Sequence, residues 1–308
     1  MSAYRFCRSD DIGLLVDALN RCWAPYFPDE PPVTPAVFKR SIRDLQVWCS
    51  SCMVAFSGPD PIGVLIGAKR PSGTLIHRFA VHPDHRRQGH GRHLLDSLGS
   101  KLAILGPPRI VAEVPETLAP ACELLGTNGY VQEAVLTDYV LETGACPEPP
   151  GLPRGSPNEG ERERAASNGA SRTGYVIPVT LDDLAANGLL DQAAPHTCWE
   201  RSIETLTARK DDIYGLAVAS DEHIEACILY IKDGEVLSLR TFVEDGGARL
   251  HELLSRLRAQ GMSMVRLPKV HPAEMSSELL ETLGFCSAGV HRLYTATVGQ
   301  RSGASPSG

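Results

Sequence analysis

Residues 81–95 read VHPDHRRQGHGRHLL, with three arginines, four histidines and two glycines. The run before them, TLIHRFAV at 74–81, is apolar and rich in branched side chains, as a buried strand is. After them, GRHLLDSLGSKLAIL at 91–105 sets Leu94, Leu95, Leu98 and Leu102 on one face of a helix. The stretch is therefore a strand-to-helix turn. The first amides of a helix lack intrahelical acceptors and lie at the positive end of its dipole. Gly89 and Gly91 let that backbone approach a bulky anion, and Arg86, Arg87 and Arg92 add charge at its rim. A glycine pair alone would favour a surface turn that caps the helix, with its arginines solvated.

Outward from this turn, the spacing predicts helices over 10–23 and 36–45, a hairpin from 52–57 and 62–69, and a strand at 74–82. It predicts a helix at 91–105, a strand at 109–115, a helix at 118–129 and a final strand at 133–142. This order gives a mixed, mostly antiparallel sheet flanked by helices, with one strand-loop-helix crossover. A second block repeats it. An offset of 162 residues sets MVAFSGPDPIGVLI (53–66) on GLAVASDEHIEACI (215–228) and TLIHRFAV on VLSLRTFV (236–243), pairing Arg78 with Arg240. Near the block ends LLGTNGYVQEAVLTDY (124–139) meets LLETLGFCSAGVHRLY (279–294), pairing Tyr139 with Tyr294. Order kept over several segments indicates duplication. The second copy has EDGGA where the first has the charged turn.

Residues 143–174 are rich in Pro, Gly and charge and predict a flexible, disordered linker. The expected division is a first domain at 1–142, the linker, a second domain at 175–298 and a disordered tail at 299–308. The 308 residues carry nine cysteines scattered through apolar segments and a formal charge of −7. The cysteines read as reduced core thiols, and Cys49 and Cys52 lack the second ligand pair of a zinc site, so no metal is expected. The charge disfavours nucleic acid. No apolar run reaches the roughly 18 residues that cross a bilayer, and the first residues lack a signal-peptide core, so a cytoplasmic location without membrane contact is expected.

Val81-x-Pro83-x-x-Arg86-x-x-Gly89-x-Gly91, between a strand and an amphipathic helix, resembles the acyl-coenzyme-A loop of the GNAT superfamily of N-acetyltransferases. The resemblance covers the whole first block, including LLGTNGYV before the last strand. It implies the fold class α/β (α+β): two tandem acyl-CoA N-acyltransferase-like domains, the second degenerate. It also implies acetyl-CoA as co-substrate. The amides of Gln88, Gly89, His90, Gly91 and Arg92 would cradle its pyrophosphate, with Arg86 and Arg87 beside them. The backbone of Phe79, Ala80 and Val81 would pair with pantetheine, and Thr117 and Pro120 would border it.

The segment IHRFAVHPDHRRQGHG is locally similar to aralkylamine N-acetyltransferase, and the match makes His77 the expected general base; an imidazole titrates in the range this needs. Many relatives carry a tyrosine acid four residues before the Gly of the closing helix, where this sequence has Leu125. Tyr139 is the expected substitute, with Tyr130 nearby. In the insertion NRCWAPYFPDEPPVTP (20–35), Trp23, Tyr26, Asp29 and Glu30 would hold a cationic amine through aromatic faces and carboxylates, or the loop would only cover the sheet. The expected partner is a small-molecule amine, with homodimerisation left open. The competing readings are a coenzyme-A sensor without turnover and a protein lysine or N-terminal acetyltransferase.

Overall fold

The structure, a computed structural model, describes residues 2–142, 174–190 and 197–299. Apart from Gly174 and Gly299, the expected linker and tail lie outside them. The chain divides into two compact units, one of residues 1–136 and 290–308, the other of 137–289.

In the first unit β1 (Ser2–Phe6), β2 (Met53–Ser57), β3 (Asp60–Arg70) and β4 (Gly73–Val81) pair antiparallel in that order. The sequence reading missed β1, whose five residues SAYRF are mostly exposed and alternate too briefly to announce a strand. Helix α1 (Ile12–Cys22) lies on β3, and α2 (Pro35–Leu45) starts at a Thr34 side-chain cap. Asp11 stands at the start of α1 but does not cap it; its carboxylate instead accepts from Arg8 N (2.7 Å) and Arg5 Nη2 (2.7 Å). Beyond β4 come α3 (His90–Leu105), β5 (Arg109–Pro115) and α4 (Ala119–Thr127).

Leu94, Leu98 and Leu102 of α3 pack with Met53, Leu65, Ile76 and Ile110 of the strands, burying one sheet face. The intervening Val54, Val64 and Ile66 are also fully buried, so both faces are covered. At about 25 cal/mol per Å² of apolar surface, each such leucine contributes roughly 1.5–3 kcal/mol, which makes this core the main support of the sheet.

Strand β6 (Val131–Glu142) begins in the first unit but from Thr137 belongs to the second. There its outer half pairs antiparallel with β11 (Met264–Val270), following the sheet β7 (Tyr175–Pro178), β8 (Tyr214–Ala219), β9 (Ile224–Tyr230) and β10 (Val236–Thr241). Among the described residues this unit has the helices α5 (Leu181–Ala186), α6 (Ile203–Ala208), α7 (Ala248–Ala259) and α8 (Ser277–Thr282). The last strand, β12 (Cys286–Thr297), crosses the other way and from His291 to Thr297 pairs antiparallel with β5 of the first unit. The boundaries expected at 142 and 175 keep each block's last strand at home, whereas the compact units exchange these strands. The two exchanged strands have the same length of 12 residues.

Candidate active site

Strand β4 positions the site. Its register with β3 runs Ile66 opposite Arg78 but Gly67 opposite Ile76, so His77 is the extra residue of a bulge. Opposite the bulge, Gly67 lets Ser51 pack close against β3, since a Cβ there would stand 2.7 Å from Ser51 O. Strands β4 and β5 pair in parallel only at Thr74 with Ile110 and Leu75 with Val111. Past the bulge, then, β4 turns a free edge to a gap between the two strands. His82 N donates to Ile62 O (2.9 Å), so by alternation Ala80 faces β3 while the peptide groups of Phe79 and Val81 face the gap. Of the three residues expected to offer backbone, Phe79 and Val81 turn theirs toward the gap, where Val81 O already accepts from Tyr26 Oη, and Ala80 lines the wall.

The turn that follows, the expected phosphate cradle, has a backbone form that suits an anion. Arg87 (φ 61°) and Gly89 (φ 84°) both lie in the left-handed region, which curls successive amides inward before α3 begins at His90. Only glycine holds that φ without strain, and Arg87 bears about 1–2 kcal/mol for it. Gly91 matters for packing, since a Cβ there would stand 2.8 Å from Leu124 Cδ2 and 3.4 Å from Phe79 Cζ. Next to the cradle lies a cleft of about 380 Å³, walled by Phe79, Ala80 and Val81 of β4, Arg86, Arg87, Gly89 to Arg92, and Leu118, Pro120 and Leu124. Gln88 and Thr117 are absent from that wall, and the Gln88 side chain donates from Nε2 to Asp84 O (3.4 Å).

Two long-range contacts tie the cleft together. Tyr26 Oη donates to Val81 O (2.6 Å) and accepts from Arg86 Nε (2.6 Å), while the guanidinium stacks 4.4 Å over its ring. Burial raises the pKa of this phenol, so it stays a donor. Buried His90 has Nδ1 2.6 Å from Tyr4 Oη, and its Nε2 finds no acceptor among the described residues. If the phenol donates, the ring proton is left on Nε2 beside the cradle. Burial, with His85 and His93 nearby, holds the His90 pKa below its usual value.

The insertion expected to receive a cation already holds one from this chain. Arg78 of β4 stacks 5.1 Å over Trp23, and Trp23 in turn stacks on Phe27 at 4.3 Å. Glu30 Oε2 accepts from Trp23 Nε1 (3.1 Å) and stands 3.7 Å from Arg78 Nη1. Trp23 and Glu30 are thus partly committed, Tyr26 belongs to the cradle, and Asp29 is exposed. His77 is half-buried at the bulge.

Tyr139 is displaced by the strand exchange. It is buried in the second unit's core with Leu141, Leu267 and Phe285, away from the first unit's cleft. Tyr294 takes the matching place in the first unit, buried against Leu125 and Tyr130, and burial followed by a hydrogen bond with Cys122 raises its pKa. The roles of Tyr26, Arg78, Tyr4 and Tyr294 were not read from sequence. Tyr294 and Arg78 left a trace there only as matches to Tyr139 and Arg240, and Tyr26 only as an expected holder of the amine. Tyr4, Tyr26 and Arg78 make contacts across 48 to 86 residues that no local pattern encodes.

In the second unit the corresponding helix start is already occupied. Gly247 is left-handed (φ 89°), as Gly89 is, but Asp245 caps α7 with its own carboxylate, accepting from Gly247 N (2.9 Å) and Arg249 N (2.8 Å).

No helix among the described residues is long and apolar enough to cross a membrane. No curated protein matches the chain significantly. Among solved structures, the chain is similar to a GCN5-related N-acetyltransferase from Sphaerobacter thermophilus, with 15% identity and a TM-score of 0.64 over 96% of each chain. A tandem GNAT protein from the clavulanic acid biosynthesis pathway matches at 15% identity and a TM-score of 0.59, over 97% of this chain and 99% of that one. A GCN5-related N-acetyltransferase from Anabaena variabilis matches at 14% and 0.61, over 97% and 73%. At these identities the likeness concerns the fold, which is that of a tandem protein. The sequence itself matches the acetyltransferase (GNAT) family over residues 14–130, a span that contains the bulge, the cradle and the whole cleft wall. The first sequence block is by that match a member of the GNAT acetyltransferase family.

Proposed function

We propose that the first unit moves an acetyl group from acetyl-CoA directly to a primary amine of a small molecule. What carries this reading is the conjunction at β4: a free strand edge opened by the His77 bulge leads straight into a left-handed, arginine-rimmed cradle. The donor set fits the co-substrate. Curled amides and Arg86, Arg87 and Arg92 suit a pyrophosphate, the apolar cleft suits an aliphatic arm, and the Phe79 and Val81 amides suit its peptide groups. His77, at the mouth of the gap, takes the ammonium proton so that the neutral amine attacks the thioester carbonyl. The C–N bond forms, the C–S bond breaks, the attacking nitrogen gives its second proton to solvent, and coenzyme A leaves as a thiolate that is protonated from solvent, because no tyrosine stands at Leu125. Asp245 closes the second unit's helix start to phosphate, and that unit serves as a structural partner in the exchange.

The test is thiol release from acetyl-CoA across a panel of primary amines, for the natural chain and His77→Ala. Turnover that falls about 10²-fold or more in the variant, with acetyl-CoA affinity kept, is the expected result. A coenzyme-A sensor would bind and never turn over, and a protein acetyltransferase would use lysyl peptides but no small amine.

A further inference from the structure

Arg78 is a largely buried charge near the cleft. Its side chain is 27% exposed, and its Nη1 is buried without a hydrogen-bond acceptor among the described residues. Among these residues the carboxylate paired with it, Glu30, stands at 3.7 Å, beyond hydrogen-bond reach, and that oxygen is already bonded to Trp23. Burial pulls the Arg78 pKa below its usual value, yet the group stays charged at neutral pH. The second copy is instructive: matching Arg240 gives its Nη1 to Leu189 O at 3.0 Å. One copy bonds the arginine to its own backbone, and the other holds it by stacking on Trp23 and by Glu30 at 3.7 Å.

Its place is equally specific. Arg78 follows His77 at the bulge and shares a strand face with Ala80, which lines the cleft, as do Trp23 and Phe27. A guanidinium that is already stripped of much of its water attracts an anion more strongly than a solvated one and loses less hydration on binding. Its planar fork matches a carboxylate.

We infer that Arg78 is the carboxylate-binding residue of the acceptor site, so that the acceptor class is amino acids rather than simple amines. The inference rests on the transfer reading above. Trp23 and Glu30 then serve to hold Arg78 in place rather than to receive the substrate ammonium.

The experiment compares acceptors in matched pairs, L-phenylalanine against phenethylamine and L-leucine against isoamylamine, with the full chain, Arg78→Ala, Arg78→Lys and Glu30→Gln. The natural chain should favour the amino acid in kcat/KM by about ten- to a hundredfold, as one hydrogen-bonded charge pair supports. Arg78→Ala should erase that preference with the KM for acetyl-CoA unchanged, and Arg78→Lys should keep part of it. Glu30→Gln should increase it, a direction that mere damage to the loop does not produce. Equal use of both acceptors, or a preference that survives Arg78→Ala, overturns the inference. If acetyl-CoA binds but neither set is acetylated, the transfer reading fails. Arg78 is then judged by calorimetry of N-acetylphenylalanine against N-acetylphenethylamine on the CoA-loaded protein. Tighter carboxylate binding that disappears in Arg78→Ala keeps the site, and equal binding removes it.

Discussion

Tyr26 joins two parts of the site that are far apart in sequence. Its hydroxyl fixes both the end of β4, through Val81 O, and the direction of Arg86 at the cradle rim. Tyr26→Phe keeps the ring under the guanidinium but removes both bonds. Acetyl-CoA KM should rise about five- to tenfold, the worth of one charge-assisted hydrogen bond, with kcat little changed. Steady-state kinetics decides this, and an unchanged KM would mean that Arg86 does not touch the co-substrate. At this scale the sequence was partly legible. The glycines and arginines of the loop announce themselves because their chemistry is local, whereas Tyr26 reads as one of several aromatics in an insertion. The same blindness turned Trp23 and Glu30 into a site for a foreign cation, because the Arg78 that fills it lies 48 residues after Glu30.

The elements meet where α3, α4 and β4 converge on Gly91. A methyl group there would press on Leu124 Cδ2 at 2.8 Å and on Phe79 at 3.4 Å. Gly91→Ala should therefore cost about 1 kcal/mol, the low end for overpacking because the Leu124 side chain can rotate away. It should also raise acetyl-CoA KM by shifting the Phe79 edge of β4. Thermal unfolding and kinetics on one preparation check both, and a variant as stable as the natural chain would show that α4 has room to yield. The elements themselves were well marked in the sequence, since their leucines recur at helical spacing and their branched residues gather in short runs. The bulge at His77 was not, because an extra residue in one strand shows only against its partner.

Across the whole molecule, the strand exchange decides which residue serves which unit. Sequence order assigns Tyr139 to the first unit; the structure gives that place to Tyr294. Tyr294→Leu should weaken acetyl-CoA binding by loosening the core around Leu125, and Tyr139→Leu should leave it intact while destabilising the second unit by about 1–3 kcal/mol. The reverse pattern would refute the exchange. The duplication was legible because repeated patterns survive in order, but two strands of matching pattern can trade places without changing either pattern, so the trade is invisible in the sequence. The first measurement to make is calorimetric binding of acetyl-CoA to the natural chain and to Gly89→Glu, whose carboxylate would carry negative charge into the cradle at a left-handed position. Binding to the natural chain that is lost in the variant is the predicted result. Equal binding by both, or no binding by either, would contradict the assignment of this cleft to acetyl-CoA.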